Sequence, residues 1–407
     1  VDLSENSVNQ NADAAVEWRP SDAFAAVSAG ESADLASVYG ETIARHPVAR
    51  TELGSGACVW AALGWDELRS VLVDHRRFTS SYPHFGTRKL PPIEVDPPEH
   101  SGYRRMLNPY FSAAALERME ADIRRFVTEA IVAMIAEGTV DALPHLQTIP
   151  MRTLCRLLGV PDAEWRAFAR LEAELEQGRT EVDFHDPAGN ASRAQHAHEG
   201  IALARELIRA RREAPLDDVI SGIATKEING RILSDDEAEG LVTLLVLAGY
   251  GTTNKALAAA TRLVATMPGV QDELRSDPQL IPAAVEEILR MDASVPSLDR
   301  RATEDVEIGD ACIKRGDVVM TAYGAANYDP KVFEDPGTFR LDRQPYRHQS
   351  FGSGVHKCAG APLARTELRI YLEELLARTS NVSLTAPVKR KPWPNLSYLS
   401  LDVSLQP

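Results

Sequence analysis

Phe351-Gly352-Ser353-Gly354-Val355-His356-Lys357-Cys358-Ala359-Gly360 is the stretch on which the reading of this 407-residue chain turns, because it sets one cysteine inside a run of glycines. Gly352, Gly354 and Gly360 permit a tight turn and let the backbone approach a flat ligand where a Cβ would collide. Downstream, Pro362 falls in the first turn of an apolar segment, Leu363-Ala364-Arg365-Thr366-Glu367-Leu368, that reads as a helix. Cys358 is therefore expected just before a helix N-terminus, where partial positive charge and free N–H groups favour a thiolate and lower its pKa. The plainer alternative is a buried structural cysteine, since free cysteine is among the most buried residue types.

Zinc would need companions. Cys358 has no Cys-x-x-Cys partner, and His356 points elsewhere if the segment is extended, so a lone thiolate here suits heme iron better. The run Phe-x-x-Gly-x-His-x-Cys-x-Gly resembles the heme-binding loop of the cytochrome P450 family. The resemblance implies heme b held through Cys358 as the iron ligand, with Phe351, Gly352 and Gly360 shaping the loop against it.

Composition is consistent with that reading. The chain carries 44% hydrophobic residues and a formal charge of −15, which argues against a general nucleic-acid binder. Cys58, Cys155, Cys312 and Cys358 show no framework spacing and suggest a reducing cytoplasm. The longest apolar run, Leu241 to Gly249, is half a membrane span, and the first residues lack a signal peptide's basic and apolar regions. A soluble cytoplasmic monomer with no membrane or nucleic-acid partner is expected. Residues 1–17 are polar and read as a flexible segment, and 18–407 as a single domain, because no linker or charge break divides the middle.

Apolar residues recur at helical spacing over Ala113–Glu137, Ala163–Glu176, Ala191–Glu213, Asp235–Met267, Pro282–Met291 and Pro362–Ala377. Short alternating runs at Val48–Leu53, Ala57–Ala61, Val306–Ile308, Ala311–Ile313 and Val318–Thr321 read as small sheets. The fold class is mainly α (α+β), a helix-rich domain with a long central helix and small β-sheets. That central helix is bounded by a capping box at Ser234-Asp235-Asp236-Glu237 and by Pro268-Gly269. Within it, Ala248-Gly249-Tyr250-Gly251-Thr252-Thr253 replaces good helix formers with small and hydroxylic residues. This is either a site of close helix packing or a groove that admits a small ligand beside Thr252. By the resemblance, Ala248 and Gly249 lie against the heme, and Thr252 orders oxygen and water.

Other motifs follow in the family's order from about residue 40 onward. Glu287-Ile288-Leu289-Arg290 sets a carboxylate and a guanidinium on one helix face. The resemblance makes Glu287 and Arg290, with Arg343, a buried structural network. In Asp96-Pro97-Pro98-Glu99-His100-Ser101-Gly102-Tyr103-Arg104, His100 and Arg104 share a helix face and can grip an anion. With Arg300 and His356 they fit the two heme propionates, whose charge needs compensation on burial. Ala325-Ala326-Asn327-Tyr328-Asp329-Pro330 completes the series. By position in the family pattern, Phe85, Phe168, Leu245, Ala248, Val295, Leu298 and Leu396 face substrate, although ordinary core packing accounts equally for each.

One departure stands out. The family usually places an acid immediately before the central threonine, whereas this chain has Gly251. The proton relay through that position lacks its carboxylate. A water chain, Asn254 or a substrate group would have to replace it. The reading is a heme-thiolate monooxygenase that inserts one atom of dioxygen into a small organic substrate by hydroxylation, epoxidation or O-demethylation. Electrons would come from NAD(P)H through a ferredoxin reductase and a ferredoxin docked near Arg105, Lys357 and Arg365. A peroxide-driven or non-oxygenating heme-thiolate enzyme is the alternative that Gly251 suggests. A non-catalytic heme or ligand sensor is the alternative from another class.

Overall fold

The computed structural model describes residues 16–31, 35–52, 58–82, 89–166, 169, 198–393 and 395–407. Seven helices carry the argument: α1 (Glu99–Leu107), α2 (Ala113–Glu137), α3 (Thr148–Leu158), α4 (Asp235–Gly249), α5 (Gly251–Thr266), α6 (Ile281–Met291) and α7 (Ala361–Arg378). In α2, Ser112 caps the start by accepting the Ala115 N–H, and Gly138 at φ +76° ends it. Between these stops Leu116, Met119, Ile123, Val127, Ala130 and Met134 repeat every three or four residues and are buried in the main core. Helix α7 packs alongside, with Arg124 paired to Glu373 and Glu374, and Arg369 to Glu120.

Among the described residues, three sheets flank the helices. The largest contains β1 (Val48–Glu52), β2 (Cys58–Ala62), β3 (Phe78–Thr79), β5 (Leu298–Ala302) and β8 (Val318–Thr321), in the order β1-β2-β8-β5-β3. Its β2–β8 pair is parallel, with Trp60 opposite Val319, and the other pairs are antiparallel. A second sheet joins β4 (Thr139–Asp141), β10 (Asp402–Gln406) and β9 (Asn381–Leu384), and β6 (Val306–Ile308) pairs with β7 (Ala311–Ile313). Short alternating strands are legible where one face is buried, as in the pattern of β6 and β7. Strand β5 carries Asp299, Arg300 and Arg301 in succession, and its charge hid it.

Two features differ from the sequence expectations. Glu17 is tied to the body, its N–H donating to the Arg50 carbonyl while its carboxylate accepts the Arg50 N–H. The described body therefore includes Glu17. The central helix is also not one rod. The Ser234–Glu237 capping box is present, yet the helix is interrupted at Tyr250 (φ −87°, ψ −66°) between α4 and α5. Glycines on both sides remove the side-chain packing that would hold the turn regular. Leu154 of α3 presses on the bend, where a Cβ on Gly249 would sit 3.3 Å from its Cδ1.

Helix α7 buries one acid without an ionic partner. Glu367 is 2% exposed, its Oε1 has no hydrogen-bond partner, and burial raises its pKa to about 8, with only the Thr153 side chain of α3 working the other way. Below the ordinary carboxyl pKa both folded and unfolded states hold the proton. Between that value and about 8 only the folded state does, so stability falls as pH rises through this window and is lowest above it. Glu367→Gln is expected to flatten that decline and to stabilise the protein at pH 8–9 by about 2–4 kcal/mol, measured as a urea midpoint across pH. Equal slopes for the two proteins would contradict it.

Candidate active site

The cysteine loop is wedged between the sheet and the helices. Gly354 (φ +71°) lies so close to the end of the helix Trp65–Val73 that a Cβ would overlap the Leu72 carbonyl oxygen. Gly352 is at φ +65°, a conformation that disfavours other residues. The Cys358 N–H donates to the Phe351 carbonyl at 2.9 Å, closing the loop, and Pro362 follows in the first turn of α7. At Gly360 a Cβ would fall 3.9 Å from both the Cys358 Sγ and the Phe111 ring.

Cys358 is enclosed by protein on most sides, yet its surface is open, so it faces a recess. Burial raises its thiol pKa, against the lowering expected from the helix N-terminus. The N–H groups of Gly360 and Ala361, with Arg104 and Arg365, oppose that shift without overcoming it. Desolvation of the charged form outweighs the helix-end field here, so a bound cation is what would make the thiolate favourable. All four cysteines are free, and no cluster of three His, Cys, Asp or Glu side chains able to hold a metal ion occurs among the described residues.

Four cationic or imidazole groups gather near the loop. His100 and Arg300 are each 4% exposed, and the rings of His100 and His356 meet edge to face at 4.5 Å. Burial, with His356 and Arg104 nearby, holds the His100 pKa down at about 4, so it presents neutral N–H chemistry and not a charge. His356 is likewise lowered by burial, despite a 3.2 Å contact between its Nε2 and Asp96 Oδ1. Arg104 is half-buried and makes no hydrogen bond or ion pair among the described residues, while Arg300 donates only to the Asp299 carbonyl at 2.7 Å. Two guanidiniums beside one carboxylate leave positive charge uncompensated, which suits an anionic ligand. Asp96 was quoted in the motif and given no role. It precedes α1 and positions His356.

On the α4–α5 face, Ala248 is exposed between the buried Val246 and Tyr250, and Leu245, Gly251, Thr252 and Lys255 are half-buried beside it. The Thr252 hydroxyl donates to the Ala248 carbonyl at 2.6 Å, which holds the side chain along the helix. Val295 and Leu298 are half-buried against the cluster around Phe78 and Val319. Leu396 sits at φ +51° and is buried with Trp18, Phe24 and Tyr39 in the N-terminal cluster. Phe85 and Phe168 lie outside the described residues.

The Glu287 carboxylate accepts Arg290 Nε and Nη2 at 2.8 and 2.7 Å, Arg343 Nε at 2.9 Å and the Arg340 N–H at 3.1 Å. Arg290 also donates to the carbonyls of Asn327 and Pro336, and Asn327 bonds Ser350 and the Gln349 N–H. The network thus reaches the segment that enters the cysteine loop. Arg365 belongs to a neighbouring cluster and does not stand as an isolated cation on the proximal face. Although burial acts to raise it, Glu286 is held at about 2 by Arg365 (2.5 Å) and His348 (3.0 Å), so part of the expected basic patch is internally neutralised. A groove of about 260 Å³ beside these networks is walled by Glu286, Arg340 and Asp342, a lining unsuited to an apolar substrate.

The glycine cradle, the single cysteine with N–H groups on its sulfur, and the unbalanced cations fit a heme with a thiolate ligand. A sequence model described as Cytochrome P450 matches residues 190–401. The chain is 34% identical to mycinamicin IV hydroxylase/epoxidase of Micromonospora griseorubida over 88% of its own length and 91% of that protein. It is 32% identical to 6-deoxyerythronolide B hydroxylase of Saccharopolyspora erythraea, over 81% and 85%. Its fold superposes on a mutant of P450 EryK in complex with erythromycin B with a TM-score of 0.83 at 29% identity, covering 92% of this chain and 96% of that one. Relatives of this kind are hydroxylases and epoxidases, which sets the sensor reading aside. Motif, geometry and likeness converge: this chain belongs to the cytochrome P450 family and is a heme-thiolate monooxygenase acting on small organic molecules.

Proposed function

We propose that the protein hydroxylates or epoxidises a mostly apolar organic molecule with dioxygen and electrons relayed from NAD(P)H through a ferredoxin reductase and a ferredoxin. O-demethylation is the same chemistry on a methoxy carbon. When bound, heme b supplies the iron at which dioxygen is reduced and one of its atoms is delivered to substrate. Cys358 is the proposed iron ligand. Arg104, Arg300, His100 and His356 would hold the propionates, while Phe351, Gly352, Gly360, Ala248 and Gly249 give the ring room on either side. The observation that carries the substrate class is that Leu245, Ala248, Val295 and Leu298 are apolar and incompletely buried. Relatives named for the hydroxylation or epoxidation of mycinamicin IV and the hydroxylation of 6-deoxyerythronolide B support an organic small-molecule substrate. An exposed Lys357 and Arg105 mark the proximal face for an acidic ferredoxin. A cytoplasmic monomer remains part of the proposal, and no helix among the described residues is long and apolar enough to cross a membrane.

Gly251 favours a second reading, a peroxide-driven enzyme, because position 251 offers no carboxylate to the relay. The two separate under labelled oxygen: with ¹⁸O₂, NAD(P)H and the redox partners, product carrying one ¹⁸O supports the first, and product formed only with hydrogen peroxide supports the second. Gly251→Asp is the structural counterpart. In a dioxygen-dependent enzyme it is expected to raise the fraction of electrons reaching product, within the roughly 10²–10⁴-fold range open to acid–base assistance. Unchanged coupling in a folded, heme-loaded variant would show that another group already does the work.

A further inference from the structure

Two successive acids of α6 reach the cysteine loop by different routes. Glu287 acts through Arg290 and Asn327, which ends on Ser350 and Gln349 at the entrance. Glu286 points about 100° further back around the helix and meets both flanks of the loop. His348, ten positions before Cys358, sets its Nε2 3.0 Å from Glu286 Oε2. Arg365, seven positions after Cys358, donates Nε and Nη2 to the same carboxylate at 2.5 and 2.9 Å. The Ser350 N–H donates to His348 Nδ1 at 3.3 Å, which leaves the ring hydrogen on Nε2, aimed at the acid. Phe351 is in reach of both flanks, its ring centroid 4.5 Å from the Arg365 guanidinium and 5.9 Å from the His348 ring. Its carbonyl accepts the Cys358 N–H, so the cluster is one hydrogen bond from the cysteine backbone. Glu286 is 7% exposed, and with one hydrogen on the His348 ring the cluster sums to one carboxylate and one guanidinium. The field of Arg365 is felt at the sulfur, where it favours the thiolate.

We propose that Glu286 is a positioning residue for the thiolate site, with two effects. It ties the two flanks of the cysteine loop to α6 through His348 and Arg365, and by balancing Arg365 it sets how much positive charge the sulfur and a heme bound to it experience. Glu287 cannot do the second, since its charge is spent on Arg290 and Arg343. The proposal rests on Cys358 as the iron ligand. Loss of structural support would move every variant of the cluster the same way, whereas loss of charge balance moves them in opposite directions according to which partner is removed.

Glu286→Gln keeps the volume and leaves Arg365 unbalanced, Arg365→Met leaves the acid unbalanced, and the double variant removes both charges. The heme reduction potential, read by dye-mediated titration, should rise in the first, fall in the second and return to the wild-type value in the third. Bare positive charge favours the added electron and bare negative charge opposes it. At one fixed applied potential the ferrous-to-ferric ratio should change roughly fivefold in each single variant. The change should shrink at high salt, because the Arg365 side chain is 38% exposed. Transfer of heme to excess apomyoglobin reads the hold on the loop. Glu286→Gln and His348→Leu should each release heme about tenfold faster, and His348→Leu, which removes no charge, should leave the potential in place. Potentials that shift the same way in Glu286→Gln and Arg365→Met would overturn the proposal, as would heme release from Glu286→Gln at the wild-type rate. If Glu286→Gln does not fold, Arg365→Met decides alone, and a potential that rises or stays in place overturns the proposal. Wild-type protein without the thiolate-type carbon monoxide band defeats the Cys358 reading and the role of Glu286 with it. That band together with unshifted potentials in the single variants defeats the role of Glu286 alone.

Discussion

Cys358→Ala is expected to abolish oxygenation and the carbon monoxide absorption diagnostic of a thiolate ligand, while the heme-free protein keeps its fold. The loop does not need the thiol to close, because the Cys358 N–H to Phe351 carbonyl bond, the glycine at φ +71° against Leu72 and the Pro362 turn all involve the backbone. Nor can another cysteine replace it. Cys155 is buried in α3 with its pKa pushed up to about 12, Cys312 is exposed on the β6–β7 pair, and Cys58 lies on β2. Circular dichroism and the reduced carbon monoxide spectrum, taken together, check the prediction. A thiolate-type band surviving in the alanine variant would remove Cys358 from the iron.

Glu287→Ala is expected to cost about 3–5 kcal/mol, the range for removing one partner of a buried ion pair. Two arginines lose their common anion at once: Arg290 is 2% exposed and the Arg343 side chain 10%. The carbonyls of Asn327, Pro336 and Thr338 remain to Arg290 but cannot balance a charge. Through Asn327 the damage spreads to Gln349 and Ser350, so heme retention should fall with stability. The urea midpoint and the heme-to-protein absorbance ratio measure both. A loss below about 1 kcal/mol would mean that water reaches the guanidiniums once the carboxylate is gone.

The sequence was most readable where a local rule decides the structure alone. Helix α2 runs over the predicted Ala113–Glu137 because Ser112 caps it, Gly138 stops it and the apolar period is unbroken between them. Strands β6, β7 and β8 were legible for the same reason. It was least readable where distant segments compete. The single rod predicted for the central helix missed the interruption at Tyr250, which depends on two glycines and on Leu154 from another helix. The direction of the Cys358 pKa was misjudged because a helix-end rule sees the favourable N–H groups and not the desolvation that three-dimensional packing imposes. The packing of Leu396 against Trp18, Phe24 and Tyr39 likewise joins segments far apart in sequence. Glu286 and Asp96 showed no signal of their own, since each acquires its role from a histidine more than sixty positions away.

The sheet that joins β4 to β10 bears on how the chain is made. Residues 139–141 pair with 402–404, and the Leu405 N–H donates to the Gly138 carbonyl that ends α2. Such pairing has high contact order and cannot form until residues 402–404 have left the ribosome, more than 250 positions after β4. Until then β4 presents an open edge beside a finished helix, a template for the wrong strand. The cysteine loop emerges shortly before β10, so the binding of heme and the closing of this sheet fall in the same interval of synthesis. Cofactor supply during that interval therefore bears on how much chain reaches the native state as well as on how much is active.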